Sequence, residues 1–159
     1  MDDNRGLWRG KRLDNGEWVY GFLVKMWGIF HLQDQENENL VVGVDPSTLG
    51  ECTGLTDKNG KLIFEGDIFR FSDEVWSSCY TSCGTEWNSW DVENYGVVGF
   101  DEEYARFDFV KYKFGENSVE ADLHENRDIE FAEFVSNLEI IGNIHDNPEL
   151  LKGAHNENT

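Results

Sequence analysis

Residues 53–71, TGLTDKNGKLIFEGDIFRF, place two glycine-containing turns around a short apolar core. The DKNG sequence at 57–60 predicts a tight turn, because Asn and Gly adopt positive φ at low cost. The EGD sequence at 65–67 predicts a second turn or bulge between two short strands. Glycine at such a point absorbs a sharp change of direction, as at the corner of a small bent barrel. We therefore expect Leu62, Phe64 and Ile68 to be core residues of a compact β fold.

The same stretch is rich in oxygen ligands, so a calcium loop is the chemical alternative to a turn. An EF-hand loop places oxygen ligands at positions 1, 3 and 5, glycine at position 6 and glutamate at position 12. Counted from Asp57, Lys61 falls at position 5 and Ile68 at position 12. The register excludes the EF-hand, and the stretch is interpreted as a β-turn.

Runs of aromatic and β-branched residues bounded by turn residues predict strands on both sides of this stretch. Gly21 and Gly28 interrupt the second run and predict bends or bulges there. The predicted strand segments are WRGKRL at 8–13, EWVYGFLVKMWGIFHL at 17–32, LVVGVD at 40–45, YGVVGF at 95–100, ARFDFVKYKF at 105–114 and LEIIGNIH at 138–145.

Helical signals are confined to the C-terminal part of the chain. Residues 127–137, RDIEFAEFVSN, fit either a short helix or a polar-flanked strand. In DNPELL, Asn147 suits an N-cap and Pro148 the first helical position. The predicted fold is mainly β: a small, bent, partly open barrel-like fold of antiparallel strands, with one or two short helical segments near the C-terminus. We expect a single domain at 1–152 and a polar tail at 153–159.

Residues 72–94, SDEVWSSCYTSCGTEWNSWDVEN, follow no helical or strand period. They predict a long irregular loop, which is uncommon in a compact domain unless it is functional or disordered. The aromatic residues within it either bind a partner, as aromatic residues at interfaces do, or close over one end of the core. The candidate partner-binding residues are Trp76, Tyr80, Trp87 and Trp90.

The net charge of −19 is uneven: residues 1–70 carry 8 Lys/Arg and 12 Asp/Glu (net −4), and residues 71–159 carry 5 and 20 (net −15). Such a field repels nucleic acid and anionic membranes, so neither is an expected partner. It attracts basic partners. The acids form either a solvated surface or an array that mimics the phosphates of DNA.

No apolar run is long enough to span a membrane, and the N-terminus is acidic, unlike a secretory signal. We expect a cytoplasmic protein. Cys52, Cys79 and Cys83 are a poor disulfide framework, and Cys79 and Cys83 lack the second ligand pair that a zinc site needs. No metal or other cofactor is expected.

Catalytic motifs are missing from the sequence: no nucleophile elbow, zinc-protease motif, P-loop or dinucleotide-binding fingerprint occurs. A pair of hydrolytic carboxylates cannot be chosen from 32 acids by sequence alone. We expect no enzymatic activity, with a hydrolase or metal enzyme as the remote alternative.

Three blocks of sequence carry a resemblance: WRGKRLDNGEWVYGFL at 8–23, TGLTDKNGKLIFEGDI at 53–68 and LEIIGNIHDNPELL at 138–151. Together they resemble the YopX family of bacteriophage and prophage proteins. The resemblance implies a mainly β, partly barrel-like fold, an intracellular phage-associated role and possible self-association, and it implies no reaction. Residues 72–130 lie outside these blocks, which suggests a function private to this chain.

These observations favour a phage or prophage protein without enzymatic activity that acts through contact with a protein partner or with itself. The alternative is an acidic DNA mimic that inhibits a nucleic-acid-binding protein of the host.

Overall fold

A computed structural model describes residue 4 and residues 6–113 and 130–152. The predicted tail at 153–159 lies outside these residues. Ten strands and one α-helix are present in the described part. They are β1 Leu7–Lys11, β2 Trp18–Met26, β3 Ile29–Gln33, β4 Val41–Gly43, β5 Gly50–Thr56, β6 Leu62–Phe64, β7 Asp67–Thr81, β8 Gly84–Asp101, β9 Arg106–Lys113, α1 Phe131–Ser136 and β10 Ile140–Asn143.

The strands form two antiparallel sheets, which confirms the predicted fold class. The first has the order β4-β3-β2-β1-β5-β6 and the second the order β10-β7-β8-β9. The chain passes from one sheet to the other at Glu65 and Gly66, where Gly66 has a φ of 84°. This is the predicted turn at 65–67, so glycine does set a corner here.

The first sheet curls into a half-barrel, and β2 changes its neighbouring strand near Gly21. The first half of β2 pairs with β1 and the second half with β3. A Cβ atom at Gly21 would clash with the carbonyl oxygen of Gln33, so only glycine allows this approach. A bridge between Arg12 and Val44 brings the end of β4 back to the end of β1. The barrel is therefore partly closed at this side.

The predicted loop at 72–94 is wrong, because these residues form the outer part of a long hairpin. β7 and β8 stay paired from Ile68–Val97 to Thr81–Gly84, with Ser82 and Cys83 as a two-residue turn. Hydrophobic alternation marks a strand only when one face is buried. The residues of β8 from 84 to 91 are all exposed, so no alternation was there to detect.

An aromatic cluster forms the core between α1 and the second sheet. The Phe109 ring lies at the centre, with centroids 5.8 Å from Phe69 and from Phe71 and 5.2 Å from Phe131. The helix over 131–136 settles the open alternative at 127–137, as far as the described residues reach. The Phe134 ring of the same helix also packs edge-on against the Phe71 ring.

The C-terminal segment is confirmed as helical, but Asn147 does not act as a side-chain cap. Pro148–Leu151 form a 3₁₀ turn after Asn147. The Asn147 side chain instead accepts a hydrogen bond from the backbone N–H of Asn143, at 3.3 Å. It therefore closes the turn after β10 rather than the start of the helix.

The carboxylate of Asp57 holds the DKNG turn together. This buried carboxylate accepts hydrogen bonds from the backbone N–H groups of Asn59 and Lys61, each at 2.9 Å, and of Ile140 at 3.2 Å. Burial opposes ionisation, but the three backbone donors outweigh it and hold the pKa of Asp57 below its usual value. One side chain thus closes a local turn and attaches β10 to it.

We expect Asp57→Ala to lower the free energy of unfolding by about 3 kcal/mol, because three backbone donors lose their acceptor. Asp57→Asn should lower the free energy of unfolding by less. The oxygen of its amide can still accept hydrogen bonds from the N–H groups of Asn59 and Lys61, and only the Ile140 N–H would meet the amide nitrogen and lose its acceptor. Because folding lowers the pKa of Asp57, its ionised carboxylate stabilises the fold at pH values above the ordinary carboxyl pKa. This stabilisation is lost as the pH falls through the lowered pKa of the folded protein. Urea unfolding at neutral and acid pH measures both effects, and equal stability of the two variants at neutral pH would contradict this account.

The turn between β2 and β3 holds a tryptophan in an unfavourable conformation. Trp27 has a φ of 49° and Gly28 a φ of 81°, and the flanking Met26 and Ile29 are paired. Positive φ at both positions is typical of a type I′ turn, which prefers Asn-Gly. Trp27→Asn is expected to stabilise the protein by about 1 kcal/mol. A rise in melting temperature checks this, with Trp27→Val as a control that should lower it.

Candidate functional site

Residues 72–94, here called the arm, project beyond the strands that flank the hairpin. Within residues 6–113 and 130–152, β10 pairs with the first residues of β7, and β9 pairs with β8 between Tyr95 and Asp101. In the part of the chain that the structure describes, the arm is therefore a two-stranded ribbon. At about 3.3 Å per residue its ten or so paired positions extend it by roughly 33 Å.

The structure brings all four predicted partner-binding residues to this arm. Trp87 is paired with Ser78 and is 65% exposed, and Trp90 is paired with Val75 and is 38% exposed. Their odd separation along β8 places them on opposite faces of the ribbon. The backbones of Trp76 and Tyr80 pair with Ser89 and Thr85, and their side chains lie outside the described set. The arm thus offers exposed rings on both faces rather than one aromatic pocket.

Acids, but no bases, accompany these rings. The arm carries Asp73, Glu74, Glu86, Asp91 and Glu93 and no Lys or Arg. Elsewhere, exposed acids occupy several separate turns, such as Asp14 after β1, Glu36 after β3 and Glu102 after β8. The DNA-mimic alternative requires carboxylates on one continuous face, whereas the described acids lie in several separate turns as well as on the arm.

The cysteines of the arm are accessible and the third cysteine is not. Cys79 and Cys83 are exposed near the tip, whereas Cys52 is buried and none forms a disulfide. Burial raises the pKa of the Cys52 thiol. Within the described residues no group of three His, Cys, Asp or Glu side chains is placed to hold a metal ion.

A buried ion pair lies where the first sheet meets β7, and the sequence did not reveal it. Arg9 Nη1 is 2.6 Å from Asp67 Oδ1, with the two side chains 5% and 1% exposed. Asp67 Oδ2 also accepts a hydrogen bond from the Phe64 N–H, and Arg9 Nη2 donates to the Glu65 carbonyl oxygen. Burial raises the pKa of Asp67, while Arg9 acts in the opposite direction. The EGD sequence predicts only a turn at Asp67 and not this ion pair.

Aromatic rings enclose the Arg9 guanidinium. Its carbon lies 5.0 Å from the Trp18 ring centroid and 5.2 Å from that of Phe64. Arg9 Nε has no hydrogen-bond partner. A guanidinium between two ring faces gains cation–π attraction, which offsets part of its desolvation. Two polar residues 58 positions apart could be matched only by folding, so no local pattern would have found them.

A second polar cluster extends this contact toward solvent. Asp146 accepts hydrogen bonds from Lys11 Nζ at 2.5 Å, from Trp18 Nε1 at 2.6 Å and from Asn143 Nδ2 at 3.0 Å. These donors, Lys11 first, hold the pKa of Asp146 well below its usual range. His145 packs on Trp18 with centroids 5.8 Å apart, and burial lowers its pKa. These three hydrogen bonds give the Asp146 carboxylate a structural role.

Beside this cluster lies an open groove of about 610 Å³. Its walls are mainly apolar, with Leu49, Val98, Val110 and Ile144 among them, and His145 and Lys152 lie at its polar side. Glu65, which also lines it, has its Oε2 atom occupied by the backbone N–H of Glu51 at 2.9 Å. Ser47 also lines this groove, but its hydroxyl donates a hydrogen bond to Asp45 Oδ1 at 2.8 Å within the cap of the 3₁₀ turn at Pro46–Thr48. The described residues therefore offer the exposed arm as the best candidate for a functional surface.

Comparison with known protein families matches residues 8–152 to the family described as YopX protein. The chain belongs to the YopX family. This is a phage-associated family of unknown function. The match runs through residues 72–130, which the three sequence blocks had left outside, so the arm lies within the YopX domain. No curated protein and no solved structure matches the chain.

No helix in the described part of this YopX protein is long and apolar enough to cross a membrane.

Proposed function

We propose that this YopX protein is a non-enzymatic phage or prophage protein that acts in the host cytoplasm through protein–protein contact, and that the arm makes this contact. One observation carries the proposal: Trp87 and Trp90 are exposed on a ribbon that extends outside the packed core. Tryptophan is enriched among the residues that dominate binding energy at interfaces. A partner protein or a second copy can cover such a surface.

The rigidity of the base of the arm supports this role. β7 and β8 enter the core as Phe69, Phe71 and Val98, all buried in one cluster. The exposed rings are therefore held on continuous strands rather than on a free loop. A site on a strand keeps its geometry better than one on a loop, which limits the entropy lost on binding.

The test is to shorten the arm and compare the captured partners. Replacing residues 74–91 with Asn-Gly joins Asp73 to Val92, which are already directly paired, so the strand register is kept. We expect proteins captured from host lysate by the full chain to be lost with the shortened chain. Trp87→Ala combined with Trp90→Ala should reproduce the loss without removing backbone.

Trp27→Ala provides the matched control, because Trp27 is 90% exposed but lies far along the chain in another turn. It should leave the captured proteins unchanged. Labelling with a maleimide adds a direct readout: a bound partner should protect Cys79 and Cys83, while Cys52 stays unreactive in either state. Identical partners for the full and shortened chains would defeat the proposal.

A further inference from the structure

The two faces of the arm repeat one combination: a tryptophan beside carboxylates. Strand alternation groups Trp87 with Asp91 and Glu93 on one face, and Trp90 with Glu86 on the other. The described side chains of this group are all exposed. Both a carboxylate and the face of an indole ring attract a cation. Each face of the arm can therefore attract a cation.

The arm carries exposed acids without a base among them. Glu86 and Asp91 are exposed, and no Lys or Arg occurs between residues 72 and 94. At the base of the arm Arg70 lies 3.8 Å from Glu93, with both side chains more than half exposed. A cation from a partner would supply the attraction that the sequence of the arm lacks near Glu86 and Asp91.

We propose that the arm binds a lysine- or arginine-bearing segment of a partner protein, an inference that rests on the proposed function of the arm. On the Trp87 face, a cationic segment meets Asp91 and Glu93 and places its alkyl stems and charged groups against the indole ring. A second copy of this chain is the poorer occupant, because its arm would bring five further acids to the contact. The net charge of −19 also speeds the approach of a basic partner.

Peptide binding tests this directly. The probe is a fluorescein-labelled peptide of alternating lysine and threonine, and the matched control is the same peptide with glutamate in place of lysine. We expect the full chain to bind the lysine peptide and not the glutamate peptide. Asp91→Asn combined with Glu93→Gln, both on the Trp87 face, should raise Kd about fivefold, the loss expected for two exposed charge pairs. Trp87→Ala should weaken binding to a similar extent.

Glu36→Gln combined with Glu38→Gln is the matched charge control, since it also changes the net charge by two but lies in the turn after β3. It should change Kd less than twofold, because these charges are far from the bound segment. Equal weakening by the two double variants would overturn the inference, since net charge alone would then explain binding. Equal affinity for the glutamate peptide would overturn it as well.

Two further measurements separate this inference from the function on which it rests. If sedimentation shows a dimer that the shortened arm abolishes, the arm binds a second copy and the cationic partner is excluded. If shortening the arm removes captured partners but leaves the lysine peptide bound, only the cationic inference fails. If shortening changes no captured partner, the proposed function itself fails.

Discussion

Replacing Asp67 with asparagine is expected to lower the free energy of unfolding by about 4 kcal/mol. The substitution keeps the shape of the side chain but leaves the Arg9 guanidinium buried without a counter-charge. Arg9 is 5% exposed and its Nε already lacks a hydrogen-bond partner, so no alternative acceptor is at hand. Urea denaturation of the two proteins measures the difference.

A double-mutant cycle keeps this test informative if Asp67→Asn does not fold. Arg9→Leu combined with Asp67→Leu replaces the ion pair with apolar groups between the Trp18 and Phe64 rings. The double variant should be more stable than either single variant, because no uncompensated charge remains, although the Phe64 N–H and the Glu65 carbonyl oxygen each lose a partner. A cost below about 1 kcal/mol for Asp67→Asn would show that the pair is not desolvated.

Replacing Phe109 with alanine is the second large effect, at about 4 kcal/mol. The Phe109 ring is 1% exposed and packs against rings from β7 and from α1. Its loss leaves a cavity between the helix and the sheet. Because α1 has only six residues, it depends on this packing rather than on its own propensity. Amide exchange in α1 should therefore accelerate together with the fall in stability.

Phe107→Ala is the matched control for this prediction. Phe107 lies two residues earlier on the same strand and is half-buried, and it packs edge-on against Phe100, which is itself 47% exposed. Its cost should be about 1 kcal/mol, with exchange in α1 unchanged. Similar losses for the two alanine variants would mean that the cluster around Phe109 is not the organising core.

Much of the fold could be predicted because its signals are local. The turns at 57–60 and 65–67 and the turn at Gly28 rest on glycines with positive φ, which are Gly60, Gly66 and Gly28. Leu62, Phe64 and Ile68 lie in the core region as predicted, with Leu62 only partly buried. These features depend on residues within a few positions of one another.

The arm shows where this kind of reasoning fails. Its aromatic residues are the predicted candidate surface, but its strands were missed because residues 84–91 of β8 are all exposed and show no alternation. The strands of the arm are defined by backbone hydrogen bonds between β7 and β8. Backbone hydrogen bonds leave no pattern in the side chains, so the sequence does not show them. The prediction that these rings bind a partner remains a prediction.

By itself, the sequence determined the turns, the strand-rich character, the acidic field and the resemblance to the YopX family. The tertiary structure alone decided which polar groups became structural. Asp57 meets the Ile140 N–H across 83 residues, and Arg9 reaches the Glu65 carbonyl across 56. Turn and strand preferences arise from short-range sterics, whereas the partner of a buried charge is set by which distant segments the fold brings together and isolates from water.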